Sequence, residues 1–259
     1  MAVFQVDLYS KSLSRRTSFS AIIPLDVPPG IFPAPPEVFK PVYLLHGYTD
    51  SHTGFMYSFP LQELAIKHNV AFILPDGENS FYLNDYTRNA LYEDYITDEL
   101  PEFVNKVFPL SKKREDITIS GISMGGFGAI HCGLAHPELY GNILSFSAAL
   151  ITDGISKLNE GESNPVAPYE YYRHTFGDLK ALLGSRNDPK ALAASLKPEE
   201  APRIFMCCGT DDFLYNDNLS FHETLESLGI AHAFVEERGM HEWEYWNRMI
   251  PRALEWMEK

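Results

Sequence analysis

Asp116-Ile117-Thr118-Ile119-Ser120-Gly121-Ile122-Ser123-Met124-Gly125-Gly126-Phe127-Gly128-Ala129-Ile130-His131-Cys132-Gly133-Leu134-Ala135 is the stretch on which the reading of this chain turns. Its opening run is β-branched and reads as a strand, and its last nine residues read as a helix. The serine between them must sit on a turn tight enough to strain its own backbone, and only glycine at Gly121 and Gly125 leaves room for it. Such a turn lifts the hydroxyl above the edge of the sheet. Ser123 is therefore a candidate nucleophile. G-x-S-x-G alone is a weak pattern, and the strand before it and the helix after it give it weight.

Working outward, strand-like runs alternate with helix-like ones on both sides. Upstream are strands over about 3–9, 17–24, 42–45 and 70–74, with helices over about 59–68 and 92–108, the latter with a kink expected at Pro101. Downstream are strands over 142–147, 203–208 and 231–236, with helices over about 217–228 and 243–258. This alternation predicts an α/β fold, a mostly parallel central sheet with helices on both faces. Two segments break it. The stretch 28–36 holds too many prolines for a helix or an inner strand and is expected to be a surface crossover. The stretch from 151 to about 202 is mixed, with Tyr169, Tyr171, Tyr172 and Phe176, and reads as a small helical insertion above the sheet within one domain spanning 1–259.

Composition narrows the function. With 259 residues, 45% of them apolar and 22% charged, the chain can bury the core of one large α/β domain without cross-links. Cys132, Cys207 and Cys208 lack metal-ligand spacing, and adjacent cysteines seldom bridge each other, so buried thiols and no metal are expected. A net charge of −14, from 21 basic and 35 acidic residues, repels polyanions and argues against a nucleic acid or an anionic membrane as partner. No stretch approaches 18 consecutive apolar residues, and residues 1–8 alternate like a strand, so a soluble, cytoplasmic protein is expected.

A serine hydroxyl needs a histidine to take its proton, and the histidine needs a carboxylate to orient it. Where a nucleophile elbow is used, the partners follow in the order Ser, acid, His, on loops after late strands. Two loops fit. One is Gly209-Thr210-Asp211-Asp212-Phe213-Leu214 and the other Glu237-Arg238-Gly239-Met240-His241-Glu242-Trp243. His241 is the histidine on the last loop, whereas His131, His136, His222 and His232 fall in or beside helices and strands and are expected in solvated or capping roles. Asp211 and Asp212 both qualify as the acid. An oxyanion also needs two backbone N–H donors. One is expected from Met124, after the nucleophile, and one from Tyr48, where His46-Gly47 turns the chain inward after the 42–45 strand. Aromatic residues in 55–59 and 79–82 are placed to line a substrate pocket or to pack beneath a loop.

Leu44-Leu45-His46-Gly47, Gly121 to Ala129, Ser145-Phe146-Ser147-Ala148-Ala149-Leu150, Cys208 to Tyr215 and Gly239 to Trp246 together resemble the esterase D-like family of α/β-hydrolases. Within it the chain looks most like the tributyrin esterases of Gram-positive bacteria, which are related to feruloyl/cinnamoyl esterases and S-formylglutathione hydrolases. The likeness runs from the first strand to the last helix. It implies that the acid is the aspartate three residues after the glycine, Asp212. It further implies a serine carboxylesterase for short-chain acyl esters, without cofactor, with acylated saccharides as second substrates and a homodimer or larger assembly as its form. The His46-Gly47 segment and the surroundings of the acid differ from the formylglutathione hydrolases, which argues against that activity. A thioesterase or an acyltransferase would use the same residues. A non-catalytic binding module is disfavoured because every catalytic position is filled.

Overall fold

The apolar runs that cannot face water on either side form the middle of a sheet, as parallel strands covered by helices must. The computed structural model describes residues 2–28, 30 and 34–259, so positions 29 and 31–33 of the expected crossover over 28–36 lie outside the described residues. Strands β1 (Ala2–Ser10) and β2 (Arg15–Ile23) form an antiparallel hairpin. They are followed by β3 (Lys40–Leu45) and β4 (Val70–Pro75), then by a separate two-stranded ribbon of β5 (Asn84–Asp85) and β6 (Ala90–Leu91). The series ends with β7 (Thr118–Ile122), β8 (Asn142–Phe146), β9 (Arg203–Gly209) and β10 (His232–Glu237). The eight-stranded sheet runs β1-β2-β4-β3-β7-β8-β9-β10. It is antiparallel where β2 meets β1 and β4 and parallel from β4 to β10.

Helices α1 (Gly54–Ser58) and α2 (Leu61–His68) precede β4, and α3 (Tyr92–Asp94) and α4 (Leu100–Val107) precede β7. The elbow helix is α5 (Met124–Ala135). Three short helices, α6 (Thr152–Ile155), α7 (Tyr169–Phe176) and α8 (Pro189–Ser195), fill the insertion, and α9 (Tyr215–Ser227) and α10 (Trp243–Met257) flank β10. The helix expected over 92–108 is broken close to the kink expected at Pro101. A π-helical turn, Tyr95–Glu99, interrupts it just before Pro101, where Leu100 N–H donates to Tyr95 O, and the next carbonyl, Ile96 O, accepts from the Tyr140 hydroxyl at 3.2 Å.

Strand alternation divides the core in two. Tyr43, Leu45, Ile119, Ile143, Ile204 and Met206 face α4, α5 and α9, while Val42, Leu44, Ile122, Leu144, Phe205 and Cys207 face α2 and α10. Helix α10 shows the cause from sequence: Tyr245, Trp246, Met249, Ile250, Ala253, Leu254 and Met257 repeat every three or four residues and are all buried. Burying side chains such as Ile250 or Leu254 stabilises by about 1.5–3 kcal/mol each. This packing fixes the carboxyl ends of β3, β7, β8, β9 and β10 side by side, and the loops that leave them converge.

Candidate active site

Ser123 sits between β7 and α5 with φ 58° and ψ −116°, a conformation that residues other than glycine rarely hold. Its neighbours over-determine it. Ser123 N–H donates to Phe146 O at 2.9 Å, Ala149 N–H donates to Ser123 O at 2.9 Å, and Phe127 N–H donates to the same carbonyl at 3.0 Å. The flanking glycines are required by space as well as by the turn: a Cβ on Gly121 would collide with the Gly125 carbonyl, and one on Gly125 with the carbonyl of Leu45.

Ser123 Oγ lies 3.0 Å from His241 Nε2. On its other side the imidazole presents Nδ1 to Asp212, at 2.9 Å from Oδ2 and 3.2 Å from Oδ1. A carboxylate can only accept, so Nδ1 carries the proton and Nε2 is free to accept from the serine hydroxyl. The two aspartates left open by spacing face opposite ways. Asp212 is buried beneath His241, whereas Asp211 turns outward to Arg238, Nε to Oδ2 3.3 Å. Burial pushes the Asp212 carboxyl up. The hydrogen bond and charge of His241, with the Leu214 N–H and the Ser147 hydroxyl, outweigh it and hold the group below the ordinary carboxylate value. The acid and histidine loops are joined to each other: Thr210 N–H donates to Glu237 O and Asp211 N–H to Gly239 O, both at 3.0 Å.

The loop after β3 is braced from several directions. The buried His46 accepts from Gly77 N–H at Nε2 (2.8 Å), which leaves the Nδ1 proton for the Gly47 carbonyl at 2.8 Å. Tyr82 O–H donates to His46 O at 3.0 Å, and Thr49 N–H donates to Asn79 Oδ1 at 2.8 Å. Tyr171, from the insertion, donates its hydroxyl proton to Asn79 O at 2.6 Å and packs edge-on to Tyr48, ring centroids 5.5 Å apart. Among the described residues neither Tyr48 N–H nor Met124 N–H has a protein acceptor. Met124 is the first residue of α5, so its N–H also carries the positive end of the helix dipole.

Two cavities meet at Ser123 and His241. One, of about 590 Å³, is lined by Phe81, Ile151, Val166, Tyr172 and Phe213, with Asn164 and Asp217 among them. The other, of about 610 Å³, is lined by Thr49, Asp50, Tyr57, Glu242, Trp243 and Trp246. Of the aromatic residues in the two segments marked as pocket candidates, Tyr57 and Phe81 reach these cavities, while Phe55 and Phe59 are buried in the core.

Of the other histidines, His136 is the C-cap residue of α5 and, like His222 and His232, is partly exposed, in keeping with the capping or solvated roles expected, whereas His131 is not. His131 is fully buried on α5 and, with His136, faces the Glu93 carboxylate at 3.2 and 2.8 Å; His222 and His232 bond to each other at 2.7 Å. Sequence reasoning also passed over Ser147, Trp246, Asn79 and Tyr171. Nothing in the spacing marks them, because each acts across a long stretch of chain. Among the described residues no group of three or more His, Cys, Asp or Glu side chains is arranged to hold a metal ion, and no helix is long and apolar enough to cross a membrane.

Residues 10–257 match the family described as putative esterase. The chain is 40% identical over 263 residues to an acetyl esterase of Caldicellulosiruptor saccharolyticus, covering 100% of this chain and 99% of that protein. The substrate-bound fluorophosphonate-binding serine hydrolase F of Staphylococcus aureus superposes with a TM-score of 0.86 at 30% identity, covering 100% and 98% of the two chains. An S-formylglutathione hydrolase of the same organism gives 0.83 at 30% identity, covering 100% and 99%. Fold, elbow and relatives agree along the full length of the chain, which belongs to the putative esterase family and is a serine carboxylesterase built on the α/β-hydrolase fold.

Proposed function

We propose that this esterase hydrolyses short-chain acyl esters through an acyl-enzyme, with Ser123 as nucleophile, His241 as general base and acid, and Asp212 as the residue that orients His241. The observation that carries the reading is the unbroken line of contacts from Asp212 through His241 to Ser123 Oγ at the meeting point of two cavities. Ser123 Oγ attacks the ester carbonyl as its proton passes to His241 Nε2. The carbonyl oxygen takes the negative charge and is held by Tyr48 N–H and Met124 N–H. The imidazolium then protonates the leaving alcohol, and water repeats the sequence on the acyl-serine, returning carboxylic acid and free enzyme.

Short chains are supported by the lining. Each methylene buried in an apolar wall gains about 0.8 kcal/mol, but the cavity beside Met124 is interrupted by Asn164 and Asp217, and a long chain would lay its methylenes against them. The acetyl activity named for the relative that is 40% identical points the same way. A second reading, feruloyl or other aromatic acyl groups on saccharides, is favoured by the rings of Phe81, Tyr172 and Phe213 around the same cavity. A cytoplasmic location is part of this proposal, and so, by resemblance, is a homodimer or larger assembly.

The test is a panel of p-nitrophenyl esters from acetyl to dodecanoyl, with methyl ferulate, acetylated xylan and S-formylglutathione beside them. Best rates are expected from acetyl to butyryl, with a sharp fall beyond about six to eight carbons and no rise on emulsified triglyceride. Highest kcat/KM on methyl ferulate would select the second reading, and a rate that climbs through dodecanoyl would overturn both.

A further inference from the structure

The turn that carries the oxyanion donor Tyr48 N–H holds the wrong residue for its shape. Asp50 N–H donates to Gly47 O at 3.3 Å, which makes Tyr48 and Thr49 the central residues of a β-turn. Thr49 has φ 68°, and Tyr48 is not among the residues with positive φ. Positive φ at the second central residue alone marks a type II turn, which favours Gly or Asn at that place. A β-branched side chain is a poor occupant of it. Left to itself, Thr49 favours the type I form, in which the peptide between Tyr48 and Thr49 is turned over and the Thr49 N–H points the opposite way.

One acceptor selects the observed form. Thr49 N–H donates to Asn79 Oδ1 at 2.8 Å, a bond that the turned-over peptide cannot make. Asn79 stands at the tip of the 77–83 loop, which is itself left-handed at Glu78, Phe81 and Tyr82, with φ 44°, 53° and 58°. Such a loop persists only because its surroundings insist on it. From within, Ser80 Oγ donates to Gly77 O at 2.6 Å and accepts from Tyr82 N–H at 3.0 Å. The buried Tyr82 ring fills a slot that a Cβ on Gly77, or on Gly128 of α5, would take, and Phe81 packs on Phe127 of α5 with ring centroids 5.3 Å apart. From outside, the Tyr171 hydroxyl of α7 donates to Asn79 O at 2.6 Å while its ring lies edge-on to Tyr48. Asn79 thus ties the turn to both the elbow helix and the insertion.

We propose that Asn79, with Tyr171 behind it, is a positioning residue for the oxyanion hole, locking residues 47–50 in the turn form that aims Tyr48 N–H at the developing charge. The inference rests on the assignment of Ser123 and of the Tyr48 donor made above. Turning the peptide over rotates it about an axis that starts at Tyr48 Cα, the atom to which the donor nitrogen is attached. A turn divided between two forms aims the donor only part of the time, and kcat falls with that fraction.

The test uses p-nitrophenyl acetate for kcat and KM and trifluoroacetone as an inhibitor, with melting temperature followed alongside. The ketone adds to Ser123 as a hemiketal: Oγ bonds to the carbonyl carbon, the hydroxyl proton passes to His241, and the carbonyl oxygen becomes the anion in the hole. Asn79→Ala is expected to lower kcat about tenfold, short of the loss on the order of 10²–10³ that follows removal of a donor itself, with KM within about twofold. The Ki of trifluoroacetone should rise by the same factor, and the melting temperature should hold, because Asn79 and Thr49 are exposed. Glycine takes either sign of φ, so adding Thr49→Gly to Asn79→Ala should restore part of the lost kcat, which it would not do if Asn79 only supported the fold. Tyr171→Phe, which keeps the ring and removes the hydroxyl, should act in the same direction by a smaller factor and add little to Asn79→Ala. Wild-type kcat in Asn79→Ala, a lowered kcat with an unmoved Ki, or no recovery from Thr49→Gly would overturn the lock. Failure of the underlying assignment would look different: Ser123→Ala would keep its turnover, whatever Asn79 did.

Discussion

Two clusters in this molecule join a buried carboxylate to histidine, and they serve opposite ends. In one, Asp212 meets a single imidazole, and the far nitrogen of that imidazole faces a serine at an open cleft. In the other, Glu93 meets His131 and His136 and is clasped by Arg186 with Nη1 at 2.6 Å and Nη2 at 2.5 Å. Burial pushes the Glu93 carboxyl up, but His131, His136 and Arg186 together outweigh it and hold it far below its ordinary value of 4.5. Burial also pushes His131 down, and its Nδ1 finds no partner among the described residues. Glu93 borders a larger cavity, about 840 Å³, yet it presents there a charge already matched by a bidentate arginine. A carboxylate and a histidine make a reactive pair only when one ring nitrogen is left with a nucleophile. Where an arginine of the insertion takes up the carboxylate instead, the same groups tie α3 and α5 to the 151–202 segment.

That contrast can be broken by substitution. The largest effect is expected at the open end: Ser123→Ala should lower kcat on the order of 10⁶-fold with an unchanged unfolding midpoint, since the side chain contributes chemistry and little packing. Retention of more than a few per cent of turnover would end the assignment. Next, Asp212→Asn should cost on the order of 10⁴ in kcat, because the amide favours the wrong histidine tautomer, whereas Asp211→Asn on the outer face should stay within about threefold. The reverse ranking in steady-state kinetics would show that the outward-facing aspartate is the functional one.

Glu93→Gln should show the opposite profile, with kcat within about threefold of wild type and stability in urea reduced by about 2 kcal/mol. Its pH dependence is the finer discriminator. The folded pKa of Glu93 is depressed, so its contribution is fully present above the ordinary 4.5 and is lost progressively as pH falls below it. Wild-type stability should therefore drop more steeply below that pH than the stability of Glu93→Gln. Parallel curves between pH 6 and 3 would mean that the cluster contributes no net ionic stabilisation.

The sheet and the reactive end of this comparison were legible in the sequence; the closed cluster was not. Apolar runs such as 70–74 and 203–208 cannot be satisfied outside a covered sheet, and a serine between two glycines after a strand has few other uses, so local pattern and global fold coincide there. That β2 lies beside β4 and not β3 depends on which strands pair across the sheet, which no local pattern encodes. Glu93 reads as an ordinary charge at the start of a helix because its neutralising partner is 93 residues away. Ser147 is hidden for another reason. Its left-handed backbone comes from contacts with β9 and the elbow, and serine has no preference for that conformation that could have announced it. Between Asp211 and Asp212, spacing alone left a choice that the family likeness made and the side-chain directions bear on.

The joining of the acid and histidine loops bears on how such an enzyme can change. Thr210 and Asp211 donate to backbone carbonyls of the 237–239 segment, and a Cβ on Gly209 would collide with the Gly239 carbonyl, so the two loops form one body. A residue inserted in either would misplace both partners of the serine at once. Diversity in substrate range has to come from parts of the cleft not bound in this way, chiefly the insertion that supplies Ile151, Val166 and Tyr172 and the α1 segment that supplies Tyr57. A mutagenesis library meant to give this enzyme new substrates belongs in those two segments, and the span from 209 to 214 is best left as it stands.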